Sequence, residues 1–134
     1  MQKRPFFFDS HALLKFFQKE TGYEKVGQLL EEIRKTGAVK YINAINLGEI
    51  IYTTKKVFGD QKKLEVLANI ERLNFTILAT PNNLIFRAAE YKAHYSISYA
   101  DSFALASAME LNAVLVTGDS EFKKVEHLVD IVWI

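Results

Sequence analysis

The sequence predicts an α/β fold: a three-layer α/β/α sandwich around a parallel sheet of four or five strands. Three observations carry that prediction. Short apolar runs alternate with stretches of helical periodicity along the chain, the pattern of strand–helix–strand crossovers that leaves strands parallel. The apolar runs are continuous rather than alternating, as in strands covered on both faces. The 134 residues, 49% hydrophobic and 25% charged, suit one ordinary core, so residues 1–134 read as a single domain.

The elements follow in order. Pro5 to Phe8 is an apolar, aromatic run that suits a buried strand. After Asp9-Ser10, the residues Leu13, Leu14, Phe16 and Phe17 begin a helical face that Gly22 breaks. A second helix from about Tyr23 to Lys35 places Val26, Leu29, Leu30 and Ile33 inward, and Thr36-Gly37 stops it. Val39 to Ile42 is the second strand, followed by a helix carrying Leu47, Ile50 and Ile51 that ends near Gly59. Asp60 is placed to cap the next helix, whose inward residues include Leu64, Leu67 and Ile70. "FTILA", residues 75–79, is the third strand, and Thr80-Pro81 starts a helix with proline at its first position. Ser98 opens a helix through Phe103, Leu105, Ala106 and Met109, closed by Asn112. Ala113 to Val116 is the fourth strand, a short helix lies near Glu121, and "DIVWI" is a final strand.

Bulk properties narrow the function classes. Lys plus Arg number 17 against 16 for Asp plus Glu, so no basic excess announces nucleic acid. The absence of cysteine excludes disulfides and thiolate zinc sites. In the basic-then-apolar start "MQKRPFFFDSHALLKFF", Asp9, His11 and Lys15 interrupt any signal-peptide core. No run approaches a membrane span, so the expectation is a soluble, cytoplasmic protein with no membrane contact.

The acids are more informative. In an open parallel sheet, ligands gather at the carboxyl ends of the strands. Asp9 ends the first strand and Asp119 the fourth; Glu49 and Asp101 lie near the starts of helices at the same edge. Each alone has a structural explanation. Asp9 and Asp119 can be N-caps, while "NLGE" (46–49) and "SYAD" (98–101) have capping-box spacing. Together, four carboxylates in one pocket would repel and raise one another's pKa. A divalent cation offsets that repulsion, and an all-oxygen set suits Mg²⁺ or Mn²⁺. Such a site can hydrolyse phosphodiesters. The chain has no cysteine nucleophile, no Gly-x-Ser-x-Gly elbow and no Walker-type loop.

The ordered motifs "FFFDSHALL", "NLGEIIY" and "SYADSFALASAMELNAVLVTGDSEF", with a terminal apolar strand, resemble a PIN domain of the VapC toxin type over essentially the whole chain. The resemblance implies a Mg²⁺/Mn²⁺-dependent endoribonuclease, the toxin of a type II toxin–antitoxin pair, bound by a cognate antitoxin and homodimeric. It makes Asp9, Glu49, Asp101 and Asp119 the catalytic, metal-holding acids. Ser10 and Thr117 become candidates for hydrogen-bonding the carboxylates, while Asn46 stands where the family more often has a small hydroxyl residue. PIN domains also serve as non-catalytic scaffolds and in RNA processing and decay, and a partner-binding module is the alternative reading.

Lys123 and Lys124, just past Asp119, are candidate RNA contacts, weighed against a solvated helix face. His11, His94 and His127 lack metal-ligand spacing, and a helix turns His11 about 200° from Asp9. Tyr41, Tyr52, Tyr91, Tyr95 and Tyr99 are candidates for base stacking or for the core. A phosphoacceptor role for Asp9 fits poorly, because haloacid-dehalogenase-type enzymes need a second Asp where His11 stands.

Overall fold

Phe6-Phe7-Phe8 pairs on both edges and so forms the centre of the sheet: Phe7 lies opposite Tyr41 on one side and Leu115 on the other. The computed structural model describes residues 3–134; Met1 and Gln2, the start of the basic N-terminal stretch, lie outside the described residues. Its strands are β1 (Phe6–Phe8), β2 (Lys40–Asn43), β3 (Phe75–Leu78), β4 (Val114–Thr117) and β5 (Ile131–Trp133). They pair in the order β3-β2-β1-β4-β5, all parallel. The helices are α1 (Ser10–Phe17), α2 (Tyr23–Thr36), α3 (Ala44–Phe58), α4 (Asp60–Arg72), α5 (Asn82–His94) and α6 (Tyr99–Glu110), with a 3-10 helix at Ser120–Val125.

Strand alternation sorts the core into two layers. Phe8, Ile42 and Val116 join Leu13, Leu30, Ile50 and Ile70 on the face covered by α1 to α4. Phe7 and Leu115 join Leu105, Ala108 and Phe122 on the face covered by α6 and the 3-10 helix. Helix α5 packs outside α6 through Leu84, Ala88, Phe103 and Ala106. This explains why α6 is buried continuously from Ser102 to Ala108: it lies between a sheet and another helix, and helices so placed are apolar all round. The expected three-layer sandwich is the observed one, with five strands.

Several boundaries move. β1, β2 and β4 begin one residue after their apolar runs, and β2 and β4 extend one residue further, to Asn43 and Thr117. Those two polar residues are fully buried. β3 omits Ala79 and β5 is confined to Ile131–Trp133. Pro81 is the N-cap of α5 rather than its first residue. Gly59, with φ 90°, occupies the cap of α4, and Asp60 is instead paired with Lys55 at 3.1 Å and Lys63 at 3.3 Å. Helix α3 starts at Ala44, capped by the Asn43 side chain accepting from Asn46 N at 2.7 Å. Residues 46–49 are therefore no capping box, and Glu49 stands in the second turn.

The chain runs from β1 outward to β2 and β3, then crosses to β4 on the other side of β1. The direction of winding reverses between β1 and β4, the point where open parallel sheets form a crevice. Asp9 and Asp119 follow those two strands.

Candidate active site

Thr117, the last residue of β4, joins two of the four acids. Its hydroxyl donates to Asp9 Oδ2 at 2.5 Å and accepts from the Asp119 backbone N–H at 3.0 Å. A hydroxyl can do both at once, and neighbouring parallel strands bring its partners within reach. Asp9 Oδ1 accepts from Ala12 N at 2.8 Å, so Asp9 is an N-cap as well as a site acid. Asp119 likewise caps the 3-10 helix, its Oδ1 accepting from Glu121 N at 2.9 Å. Asp101 sits in the first turn of α6, its backbone N–H donating to the Ser98 hydroxyl at 3.1 Å. The structural reading is thus realised for Asp9 and Asp119 as N-caps, which leaves their other carboxylate oxygens to other partners.

Glu49 reaches the site along a different path. The Ser10 hydroxyl donates to Glu49 Oε1 at 2.8 Å, and Ser10 N–H donates to Asn46 Oδ1 at 3.0 Å. Asn46 Nδ2 donates to Asn43 Oδ1 at 2.9 Å, and Asn43 Nδ2 donates to the Ser107 hydroxyl at 3.0 Å. A buried polar chain thereby connects α6, the end of β2, α3 and the start of α1. Asn46 uses both ends of its carboxamide, accepting from Ser10 and donating to Asn43. Asn43 and Ser107 escape sequence reading: a buried Asn and a Ser within an Ala-rich helix signal nothing until they meet.

The electrostatics report proximity. Burial pushes Asp9 up to about 7, against its hydrogen bonds from Thr117 and Ala12, and the charges of Asp101 and Asp119 add to the rise. Burial also raises Asp101 to about 6, with Asp119, Glu49 and Glu121 contributing repulsion. Glu49 is raised by burial and by Asp119, while the Ser10 hydrogen bond opposes the shift. All four carboxylates therefore share one field, with Asp119 acting on the other three. As posed, no three carboxylates or imidazoles among the described residues converge within ligating reach of one point. Like charges keep apart, and Asp9, Glu49 and Asp119 are each turned towards a hydrogen-bond donor. The donor set is nonetheless all oxygen and multiply anionic, which fits a hard divalent ion such as Mg²⁺ or Mn²⁺.

Two flanking expectations change. His11 is not remote from the site: a Cβ on Gly118 would come within 2.9 Å of His11 Cε1 and 2.7 Å of the Ile134 backbone oxygen. The imidazole thus lies against the turn that delivers Asp119, with Nδ1 buried and lacking a hydrogen-bond partner among the described residues. The helical rotation from Asp9 was sound, but β1–β4 pairing brings the 118 turn to the face where His11 points. Lys124 is tied to Glu121 at 2.5 Å and to the Ser96 carbonyl at 2.8 Å, whereas exposed Lys123 enters no ion pair among the described residues. No helix of the described residues is long and apolar enough to cross a membrane.

A PIN domain family model matches residues 6–128. No curated protein gives a match. Solved structures with a similar fold include VapBC2 from Rickettsia felis bound to a DNA fragment from its promoter, at 20% identity, 95% of this chain, 96% of that chain and TM-score 0.77. DNA-bound VapBC from Salmonella typhimurium shares 16% identity over 97% of this chain and 98% of that chain, at TM-score 0.76. VapC20 from Mycobacterium tuberculosis, a sarcin-ricin-loop-cleaving toxin, shares 13% identity over 90% of this chain and 94% of that chain, at TM-score 0.72. At these identities the likeness is one of fold.

Proposed function

The chain belongs to the PIN domain family, and from that premise we propose that it is a metal-dependent endoribonuclease and the toxin of a toxin–antitoxin pair. The observation that carries this reading is the shared field of Asp9, Glu49, Asp101 and Asp119, four acids from four segments gathered at the sheet's switch point. Those four would hold Mg²⁺ or Mn²⁺. Such an ion, when bound, acidifies water and neutralises charge on a phosphodiester.

The chain's own residues set the geometry. Thr117 fixes Asp9 and the backbone of Asp119 together, so neither can swing without breaking a buried bond. Ser10 orients Glu49, and Asn46 holds Ser10 in turn. Burial and the charges of its acidic neighbours push Asp101 up to about 6, a cost that a bound cation would offset. Lys123, free of ion pairs among the described residues, is the better placed of the two lysines to meet an RNA phosphate; Lys124 would have to give up two bonds to do so.

The antitoxin partner rests on the VapBC complexes among the similar structures. The fold adds an apolar groove of about 520 Å³ between α1 and α4, floored by Phe16, Phe17, Val66 and Leu73 and rimmed by Lys19, Lys62 and Arg72. The same reading includes a homodimer in the cytoplasm.

The test uses the purified chain and total RNA, with Mg²⁺ or Mn²⁺ or with EDTA, beside Asp9→Asn and Asp101→Asn. Metal-dependent cutting that both substitutions abolish in folded protein supports the nuclease and its site. Cutting that survives both substitutions sinks the four-acid assignment. No cutting together with no thermal stabilisation by Mn²⁺ favours the partner-binding module.

A further inference from the structure

The structure divides the tyrosines. Tyr23, Tyr41, Tyr91 and Tyr95 are half-buried, whereas Tyr52 is 60% exposed and Tyr99 47% exposed. The two left in solvent both belong to the helices that carry site acids. Tyr52 is one turn beyond Glu49 on α3, and side chains three apart on a helix are neighbours, about 5–6 Å between Cβ atoms. Tyr99 opens the helical turn that holds Asp101.

Helical spacing ties the two together. Ile45, Glu49, Tyr52 and Lys56 fall at i, i+4, i+7 and i+11, one stripe along α3. The stripe starts with Ile45 packed on the cluster that includes Phe103, and the Tyr99 ring meets Phe103 edge to face at 4.9 Å between centroids. Tyr99 and Ile45, the start of the stripe, therefore border one packed cluster. Glu49 turns in to Ser10, Tyr52 emerges beyond it, and Lys56 follows one turn later. Lys56 is exposed and enters no ion pair among the described residues, unlike its neighbour Lys55, which is paired with Asp60 at 3.1 Å.

We infer that this stripe and Tyr99 form a track for an unpaired RNA strand, in which Tyr52 stacks a base one turn past Glu49, Tyr99 stacks another at the start of α6, and Lys56 meets a backbone phosphate. The inference rests on the nuclease reading and gives it substrate-positioning residues. Aromatic faces accept any base, and a free lysine beside an acidic centre gives the flanking phosphate a counter-charge. Duplex RNA keeps its bases stacked on one another and cannot offer them to either ring.

The test measures binding of a short fluorescein-labelled, unstructured oligoribonucleotide, and of the same strand annealed to its complement, by anisotropy. An Asp9→Asn background in Mg²⁺ prevents cleavage. Tyr52→Ala and Tyr99→Ala should each weaken single-strand binding about tenfold, the scale of one stacked base, and Tyr→Phe at either position should restore it. The duplex should bind more weakly and respond to neither alanine. Lys56→Ala should make the dependence of log affinity on log salt shallower by about 0.7. Tyr99→Ala removes a packing contact with Phe103, so its melting temperature is compared with that of Tyr99→Phe, and Tyr52 stands as the independent position. Alanine variants that bind the single strand as the parent does overturn the track. So does loss of a dimer on size exclusion with RNA affinity intact, which would assign the tyrosines to a contact between copies. A parent that binds no RNA, alongside a wild type that cuts none, overturns the nuclease reading itself.

Discussion

At the amino ends of the strands, Arg4 meets Asp130 at 2.6 Å and the Asn112 carbonyl at 3.3 Å, and Lys40 lies 5.8 Å from the centre of the Phe75 ring. Charge there is matched by opposite charge or spread over an aromatic face. At the carboxyl ends Asp9, Glu49, Asp101 and Asp119 lie in one field with hydroxyls and amides for partners, and burial and mutual repulsion raise three of them. The same sheet thus has a more complete end, even though burial without an ion pair lowers the pKa of Lys40 there, and an incomplete one where acids gather. Folding alone would select the first arrangement; the second costs stability, as expected of a cluster that a cation or substrate would complete.

The sharpest way to break that contrast is to neutralise the incomplete end. Asp9→Asn should lower metal-dependent RNA cleavage by at least about a hundredfold, the scale of losing one preorganised active-site group. The metal-free variant should melt at pH 8 no lower than wild type, because Asn caps a helix as well as Asp and the buried charge is gone. Cleavage rates and thermal melts on one preparation check both halves.

Acidity offers a second route. Asp9 and Asp101 hold their protons to higher pH in the folded chain than in the unfolded one, so protonation favours the folded state. That contribution is full below the unfolded carboxylate range, near pH 4, and is lost as pH rises through about 6 for Asp101 and about 7 for Asp9. Metal-free melting temperatures should therefore fall across that interval. Stabilisation by Mn²⁺ should grow over the same interval, since ligands must be deprotonated to bind. A flat profile in EDTA would remove the electrostatic argument for the site.

Gly118 links the incomplete end to the core. A Cβ there meets backbone at 2.7 Å, so Gly118→Ala must shift the turn or the end of β5. It should cost about 1–3 kcal/mol of stability, in the range of overpacking, and should weaken Mn²⁺ binding measured without RNA by displacing Asp119. At the complete end, Arg4→Ala should do little. Its partner is 74% exposed, so the loss should be within about 1 kcal/mol by denaturant melt, with cleavage unchanged.

How much of this was legible in advance depends on the range of the interaction. Runs such as "VLVT" and the spacing of Val26, Leu30 and Ile33 are local signals, and they placed the strands to within a residue, whereas the first helix ends at Phe17, well before the Gly22 expected to break it. The capping assignments were less secure: hydrogen bonds rather than hydrophobicity set helix starts, so Asn43 took the cap expected at Asn46 and Gly59 the one expected at Asp60. Lys123 and Lys124 look alike in sequence, and only the fold brings Ser96 and Glu121 to one of them.

By itself the sequence determined the α/β class, the parallel sheet and the four acids at one edge, because residue type and period act over a few positions and the parallel topology does the rest. Only the tertiary structure decided that Thr117 bridges Asp9 to Asp119, that Asn43 and Ser107 anchor the chain of bonds behind Glu49, and that Gly118 is wedged between His11 and Ile134. Apart from the local bond between Thr117 and Asp119, those contacts join residues far apart in the chain. Strand pairing and helix packing set the distances between them, and no short-range pattern encodes those distances.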